Sequence, residues 1–303
     1  MPSIFVHVAS YRDPECEHTI NDLFRKASEP ERISVGVVLQ QMPEDNYHFH
    51  SSRLRAICID ARETQGACWA RSLGYTLYRG EDYILQIDSH MRFTEGWDTS
   101  LLTELAACPS DKPMLTVYAP NYTPPNDLEQ NCTNLLFAHS FEPNGNVRQS
   151  SHRLQERQYA PMPAALVSGA FMFARAQWIS EVPYDPQLYF WGEEITLAVR
   201  LWTSGWDLFN PRQTFIWHQY NRYAAHRHWD DNEPWGRLND RSLARVRSLL
   251  ETEETGAGDA IDLGSYGLGA VRTLCEYEKY SGINFKLRTL TEDARAGRVV
   301  RGG

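Results

Sequence analysis

The chain of 303 residues carries 30 Lys and Arg against 39 Asp and Glu, a formal charge of −9, which disfavours a surface built for nucleic acid or an anionic membrane. At 42% hydrophobic, 12% aromatic and 23% charged residues, the composition is that of a globular protein with a sizeable core and excludes a disordered chain. No run approaches 18 apolar residues, which excludes a membrane-spanning helix.

The start, MPSIFVHVAS, has neither the basic region nor the long apolar stretch of a leader, so the chain is expected in the cytoplasm. The six cysteines (Cys16, Cys58, Cys68, Cys108, Cys132 and Cys275) are scattered, with no C-x-x-C pair, and are expected to be buried free thiols. Ile4 to Ala9 is a short apolar strand delivering a polar loop, Ser10-Tyr11-Arg12-Asp13-Pro14, where proline stops it. Residues 16–27 suit a helix, 33–40 a β-branched strand, and 53–60 a weakly alternating one. Ala67, Ala70, Leu73, Gly74 and Leu77 recur at helical spacing over 66–79, after which 83–87 forms a buried strand running into Asp88. Residues 120–165 are rich in Pro, Asn, Gln and Ser with poor periodicity and read as a long insertion over the rim of a site. A buried strand is expected over 166–175, a helix over 193–204 closed by Gly205, and a strand over 214–217 ending at His218. Residues 222–237, dense in Arg, His, Trp and Asp, read as a mobile flap, 267–280 as a helix carrying Arg272 and Glu276, and the tail from 295 as frayed.

This alternation of strand and helix predicts an α/β fold, a mainly parallel central sheet with helices on both faces. Ligands of such sheets bind beyond the carboxyl ends of the strands. Ser10 to Asp13 and Asp88 to His90 both fall there, which makes them candidates for one shared site. No repeat and no linker divides the chain.

Three local signals carry chemistry. In Asp88-Ser89-His90 a carboxylate and an imidazole two residues apart at a strand end can face one cation, a mixture that suits Mn²⁺ and less obviously Mg²⁺. In Trp191-Gly192-Glu193-Glu194, an aromatic face beside a carboxylate is a common way to hold a sugar, although paired acids also suit a helix N-terminus. His218 closes an apolar strand, where a histidine is commonly a core residue.

The succession SGAFMF, Tyr184-Asp185, WGEE, Leu197, Arg200, Trp202, Gly205, Pro211 and His218 resembles the catalytic half of GT-A glycosyltransferases, particularly the polypeptide N-acetylgalactosaminyltransferases. Gly66, Ala70 and Arg71, placed ahead of the Asp-Ser-His motif, extend the likeness. Ser10 to Pro14, the run from Gln65 through DYILQIDSHMRF to Gly96-Trp97-Asp98, YFWGEE and YGLGAVRTLCEYEKYSGINF look still more like the cytoplasmic UDP-GlcNAc-dependent polypeptide N-acetylglucosaminyltransferases that modify hydroxyproline.

That resemblance implies one GT-A domain over 1–303, a Rossmann-like nucleotide-diphospho-sugar transferase fold. Residues 1–119 would be its nucleotide half, 120–165 the insertion, and 166–303 the sugar and acceptor half with a C-terminal lid. It implies transfer of N-acetylglucosamine from UDP-GlcNAc to a hydroxyl, on a protein, with retention of configuration and no side-chain nucleophile. Asp88, His90 and His218 would hold Mn²⁺ or Mg²⁺ against the diphosphate. Ser10, Arg12 and Asp13 would contact uridine, with Gln65, Gly66 and Ser89 in the same neighbourhood, and Arg71 would support the nucleotide or brace Asp88. Trp191 and Glu194 would hold the donor sugar, with Glu193 directed at the acceptor or at its own helix. The flap, with His226, Arg227, His228 and Trp229, would close over UDP. Two alternatives stay open: a nucleotide-sugar hydrolase or phosphoesterase using the same metal site, and a non-catalytic sugar or nucleotide binder.

Overall fold

Along Ile4–Tyr11 (β1), Phe5 packs into one buried cluster and Ile4, Val6 and Val8 into another. A strand buried on both sides must lie inside a sheet covered on both faces. The computed structural model, which describes residues 2–49, 51–154, 156, 158–223, 225–252 and 261–300, places it there.

After β1 come α1 (Glu15–Lys26), β2 (Ile33–Gln41), β3 (Leu54–Asp60), α2 (Ala67–Gly74), β4 (Tyr83–Asp88), β5 (Met91–Phe93), α3 (Trp97–Ala106) and β6 (Pro113–Thr116). A small ribbon of β7 (Tyr122–Thr123) and β8 (Asp127–Leu128) precedes a hairpin of β9 (Asn134–Phe141) and β10 (Val147–Arg153), then β11 (Met162–Ala164). The second half holds β12 (Phe171–Arg175), α4 (Trp178–Glu181), α5 (Glu193–Thr203), β13 (Asp207–Asn210), β14 (Ile216–His218) and α6 (Trp235–Leu250). It closes with α7 (Leu274–Ser281), β15 (Ile283–Asn284), β16 (Thr289–Leu290) and α8 (Glu292–Arg295).

Eight strands form one sheet in the order β11-β13-β6-β12-β4-β1-β2-β3. The run β3-β2-β1-β4 is parallel, as is β6 with β13, whereas β12 lies antiparallel between β4 and β6. Because Phe171 pairs with Ile87, the start of β12 sits beside the end of β4. Residues 168–170 therefore meet Asp88 at one end of these central strands. On one face α1 (Cys16, Ile20, Leu23) and α3 (Trp97, Leu101, Leu105) cover Val6 and Val8; on the other, Cys68 of α2, Leu197 and Leu201 of α5 and Leu249 of α6 cover Phe5 and Ile84.

Several expectations need correction. Among its described residues the insertion, read as partly structured, carries a full hairpin: Glu142 and Asn146 close a turn, with Glu142 N donating to Asn146 O at 2.8 Å, and β9 and β10 pair along their length. The helix expected over 267–280 forms only from Leu274; Arg272 lies ahead of it and pairs with Asp207 at 2.8 Å. The tail is docked through Val300, whose N donates to Tyr280 O at 2.9 Å, while residues 301–303 lie outside the described residues. All six cysteines are free, but Cys58 and Cys275 are exposed. Helices α3 and α6 were not anticipated.

Candidate active site

Three strand ends build the core of the site. β1 and β4 run parallel with Ala9 opposite Asp88, so the loop after β1 lies against the turn Asp88-Ser89-His90. β14 pairs antiparallel with β5, setting His218 opposite Met91 and hence beside His90. His218 Nε2 lies 3.1 Å from His90 Nε2 and 3.2 Å from Asp88 Oδ2, and His90 Nε2 lies 3.8 Å from Asp88 Oδ2. Ligand atoms bound at about 2.1 Å to one divalent cation stand no more than about 4.2 Å apart, and all three separations satisfy that limit.

The surroundings prepare these atoms as ligands. Asp13, buried beneath them, takes His90 Nδ1 at 2.8 Å and Ser89 Oγ at 2.5 Å. A proton on Nδ1 leaves the Nε2 lone pair facing the cluster, the usual arrangement around a metal-ligating histidine. Burial alone would raise the Asp88 pKa, but the hydrogen bond from His218 and the charge of Arg71 hold it well below the usual carboxylate range. Burial depresses His218 to about 4. At neutral pH the cluster therefore offers an anionic oxygen and a neutral imidazole. Two ring nitrogens and a carboxylate converge, and a divalent cation would satisfy all three.

Arg71, on α2, lies next to this cluster. Its Nη2 donates to Asp88 Oδ1 at 2.7 Å and its Nη1 pairs with Glu193, which also accepts from Tyr184 OH at 2.6 Å. The passage is narrow: a Cβ on Gly169 would stand 2.3 Å from Arg71 Nη1, so a larger residue there would displace the guanidinium. Glu193 is thus engaged by a buried cation and a tyrosine, and it neither caps α5 nor faces open solvent.

Glu194 points the other way. Its Oε1 accepts from Gly169 N at 2.9 Å, and its Oε2 from Tyr118 OH at 2.5 Å and Gln149 Nε2 at 2.7 Å. Burial outweighs these bonds and raises the pKa to about 7. Glu194, Trp191, Asp88, Tyr118, Gln149 and Tyr220 line a cavity of 790 Å³, of a size that holds a substrate. Trp191 is 48% exposed, leaving its ring open to a ligand.

A smaller cavity of 150 Å³ lies beneath the flap, among Tyr11, Gln40, Thr64, Gly66, Phe190 and His228. Gly66 has φ +102° and a Cβ there would stand 2.2 Å from Tyr189 O, so the chain approaches this pocket closely only as glycine. The residues expected around uridine divide. Gly66 and Ser89 line this pocket, and Ser10 is buried near it. Gln65 is exposed, its place taken by Thr64. The Arg12 guanidinium is committed to Glu44, Asp45 and Asp231, and Asp13 is committed to His90, Ser89 and Arg222.

The flap, described except for residue 224, has neither helix nor strand before α6 and is docked. Asp231 accepts from Tyr11 OH at 2.8 Å, and Asn232 Nδ2 donates to Thr64 O at 2.6 Å. His228 packs among Tyr11, Tyr189, Phe190 and Trp229. Arg222 pairs with Asp13 at 3.1 Å and approaches His90 Nε2 at 3.4 Å. Sequence reasoning missed Tyr118, Gln149 and Tyr220. Only the Asn144-Gly145 pair, a strong hairpin signal, pointed toward Gln149's strand.

The family model described as Glycosyltransferase (GlcNAc) matches residues 3–51 and 43–287. The chain is similar to the Drosophila melanogaster protein named "Putative polypeptide N-acetylgalactosaminyltransferase 13", 28% identical over 179 residues, 57% of this chain and 31% of that protein. Among solved structures it resembles GalNAc-T7 with UDP, GalNAc and Mn²⁺, at a TM-score of 0.58 and 12% identity over 83% of this chain and 49% of that one. It also resembles S. aureus TarS 1-349 in complex with UDP-GlcNAc, at a TM-score of 0.47 and 12% identity over 84% and 68%. The chain spans about a third of the curated relative and half of GalNAc-T7.

Proposed function

The chain belongs to the glycosyltransferase family described as Glycosyltransferase (GlcNAc) and has a GT-A fold, and from that premise we propose that it transfers N-acetylglucosamine from UDP-GlcNAc to a hydroxyl of a polypeptide. The observation that carries this is the adjacency of the Asp88, His90 and His218 cluster to the 790 Å³ cavity lined by Trp191 and Glu194. A diphosphate binder and a sugar binder share one wall. The relative is named for a polypeptide acceptor and the solved neighbour for UDP and Mn²⁺, which supports a UDP-sugar donor and a polypeptide acceptor; both are named for N-acetylgalactosamine, and the choice of N-acetylglucosamine rests on the family description.

In this scheme Asp88, His90 and His218 would hold Mn²⁺ or Mg²⁺, which would supply Lewis-acid stabilisation of the leaving diphosphate. Asp13 positions His90 by holding Nδ1. Arg71 braces Asp88 on one side and Glu193 on the other, keeping the carboxylate oriented toward the cluster. Trp191 stacks on the donor sugar and Glu194 accepts from its hydroxyls. The uracil enters between β1 and Gly66, Arg222 leaves Asp13 for a phosphate oxygen, and the flap excludes water over the nucleotide. Glu193 is bound to Arg71 and Glu194 to three donors, which fits a transfer with no side-chain nucleophile; retention of configuration rests on the family resemblance.

The experiment is a panel of UDP-sugars with Mn²⁺ or Mg²⁺, read first as UDP release alone and then with Ser, Thr and hydroxyproline peptides. Transfer to peptide with UDP-GlcNAc as the best donor is expected. UDP release that far exceeds any transfer, with every acceptor tried, would instead make the protein a nucleotide-sugar hydrolase.

A further inference from the structure

The wall facing Glu194 belongs to β10, and its geometry departs from an ordinary strand. Successive strand residues face opposite ways, yet Val147, Arg148 and Gln149 all line the large cavity. Beside them the pairing is irregular: Arg148 pairs with Ser140 while Gln149 pairs with Ala138, which leaves His139 of β9 as the extra residue. Such a bulge adds twist and re-aims a side chain, and bulges concentrate beside active sites. Here the added twist falls beside Arg148 and Gln149, both of which line the cavity. Gln149 reaches inward to Glu194 at 2.7 Å, while the Arg148 side chain, 66% exposed, stands at the mouth.

Charge then separates the two arginines of the cavity. Arg71 is buried and neutralised by Asp88 and Glu193. Arg148 meets only Glu142 across the turn, at 3.9 Å with both partners open to solvent, a pair that water screens almost completely. Among the described residues lining the cavity, Arg148 is the arginine with charge to offer a ligand. The hairpin carrying it is braced from behind: Arg288 Nη1 donates to Pro143 O at 3.2 Å and Arg295 Nη1 to His139 O at 2.9 Å.

Resting on the transferase assignment above, we propose that the hairpin is the acceptor wall and that Arg148 is a specificity-determining residue for a polypeptide bearing an acidic side chain next to the accepting hydroxyl. The hydroxyl has to reach the sugar beside Glu194, and Arg148 adjoins Gln149, which touches Glu194. A carboxylate within a residue or two of the hydroxyl falls opposite the guanidinium, where a chain of net charge −9 would otherwise repel it.

The test is a positional peptide library centred on Ser, Thr or hydroxyproline, supplied with UDP-GlcNAc and Mn²⁺, and compared between wild type, Arg148→Ala and Arg148→Glu. Calorimetric UDP binding accompanies each variant. Wild type should favour Asp or Glu at a flanking position, Arg148→Ala should flatten that preference by about fivefold, and Arg148→Glu should reverse it toward Lys or Arg, with UDP affinity unchanged. An acidic preference that survives in Arg148→Glu overturns the proposal. So does a parallel loss of UDP affinity, which would place Arg148 on the donor. Donor turnover without any peptide product is the hydrolase outcome and overturns the transferase assignment instead. Wild type that neither binds UDP nor turns over a UDP-sugar overturns the transferase assignment itself.

Discussion

At the scale of single residues, Asp88 and Glu194 are two carboxylates driven in opposite directions by their surroundings. Asp88 is kept ionised by His218 and Arg71. Asp88→Ala should abolish metal-dependent UDP-sugar turnover while leaving the circular dichroism spectrum intact; activity that survives would remove Asp88 from the cluster's task. Glu194 is raised from 4.5 to about 7, so the folded state binds its proton more tightly than the unfolded state does. Its contribution to stability is therefore present below pH 4.5 and is lost as pH rises through about 7, by up to about 3 kcal/mol. Glu194→Gln should flatten that slope in denaturant titrations between pH 5 and 8 and weaken binding of the donor sugar while UDP still binds. Asp88-Ser89-His90 alone was a weak sign, since a strand-end Asp is more often a turn-former; the order of the motifs along the chain is what joined it to His218. Arg12 and Asp13 were legible as polar residues at a strand end, but not as partners of Asp231 and His90, because sequence does not show which charges the flap and the neighbouring turn bring to them.

Among the elements, the parallel core was readable and the additions to it were not. β1, β2 and β4 are apolar runs with both faces buried, a pattern few other structures produce. The hairpin β9–β10 was concealed by its polar residues, although Asn144-Gly145 at its turn was a sufficient sign. Helix α6 carries Leu243, Val246, Leu249 and Leu250 at helical spacing, a pattern obscured by the arginines around it. The flap is tied to the body by Asp231 and Asn232. Limited proteolysis between residues 219 and 234 should slow when UDP and Mn²⁺ are added and quicken in Asp231→Asn; cleavage indifferent to both would deny it the role of a lid. Trp97 is wholly buried, with Nε1 donating to Leu23 O at 2.9 Å, and Trp97→Ala should cost about 3–5 kcal/mol in denaturant unfolding.

For the whole molecule, a charge of −9 disfavours a diphosphate unless a cation intervenes. The fold supplies the place for one where β4, β5 and β14 meet, with Arg222 and Arg71 beside it. Among the described residues no helix is long and apolar enough to cross a membrane. The central claim is that this cluster makes nucleotide-sugar binding depend on a divalent cation, and calorimetric titration of UDP-GlcNAc tests it without any acceptor. Saturable one-to-one binding should appear with Mn²⁺, vanish in EDTA and be absent from Asp88→Ala. Binding of equal strength in EDTA, or none in Mn²⁺, would contradict it.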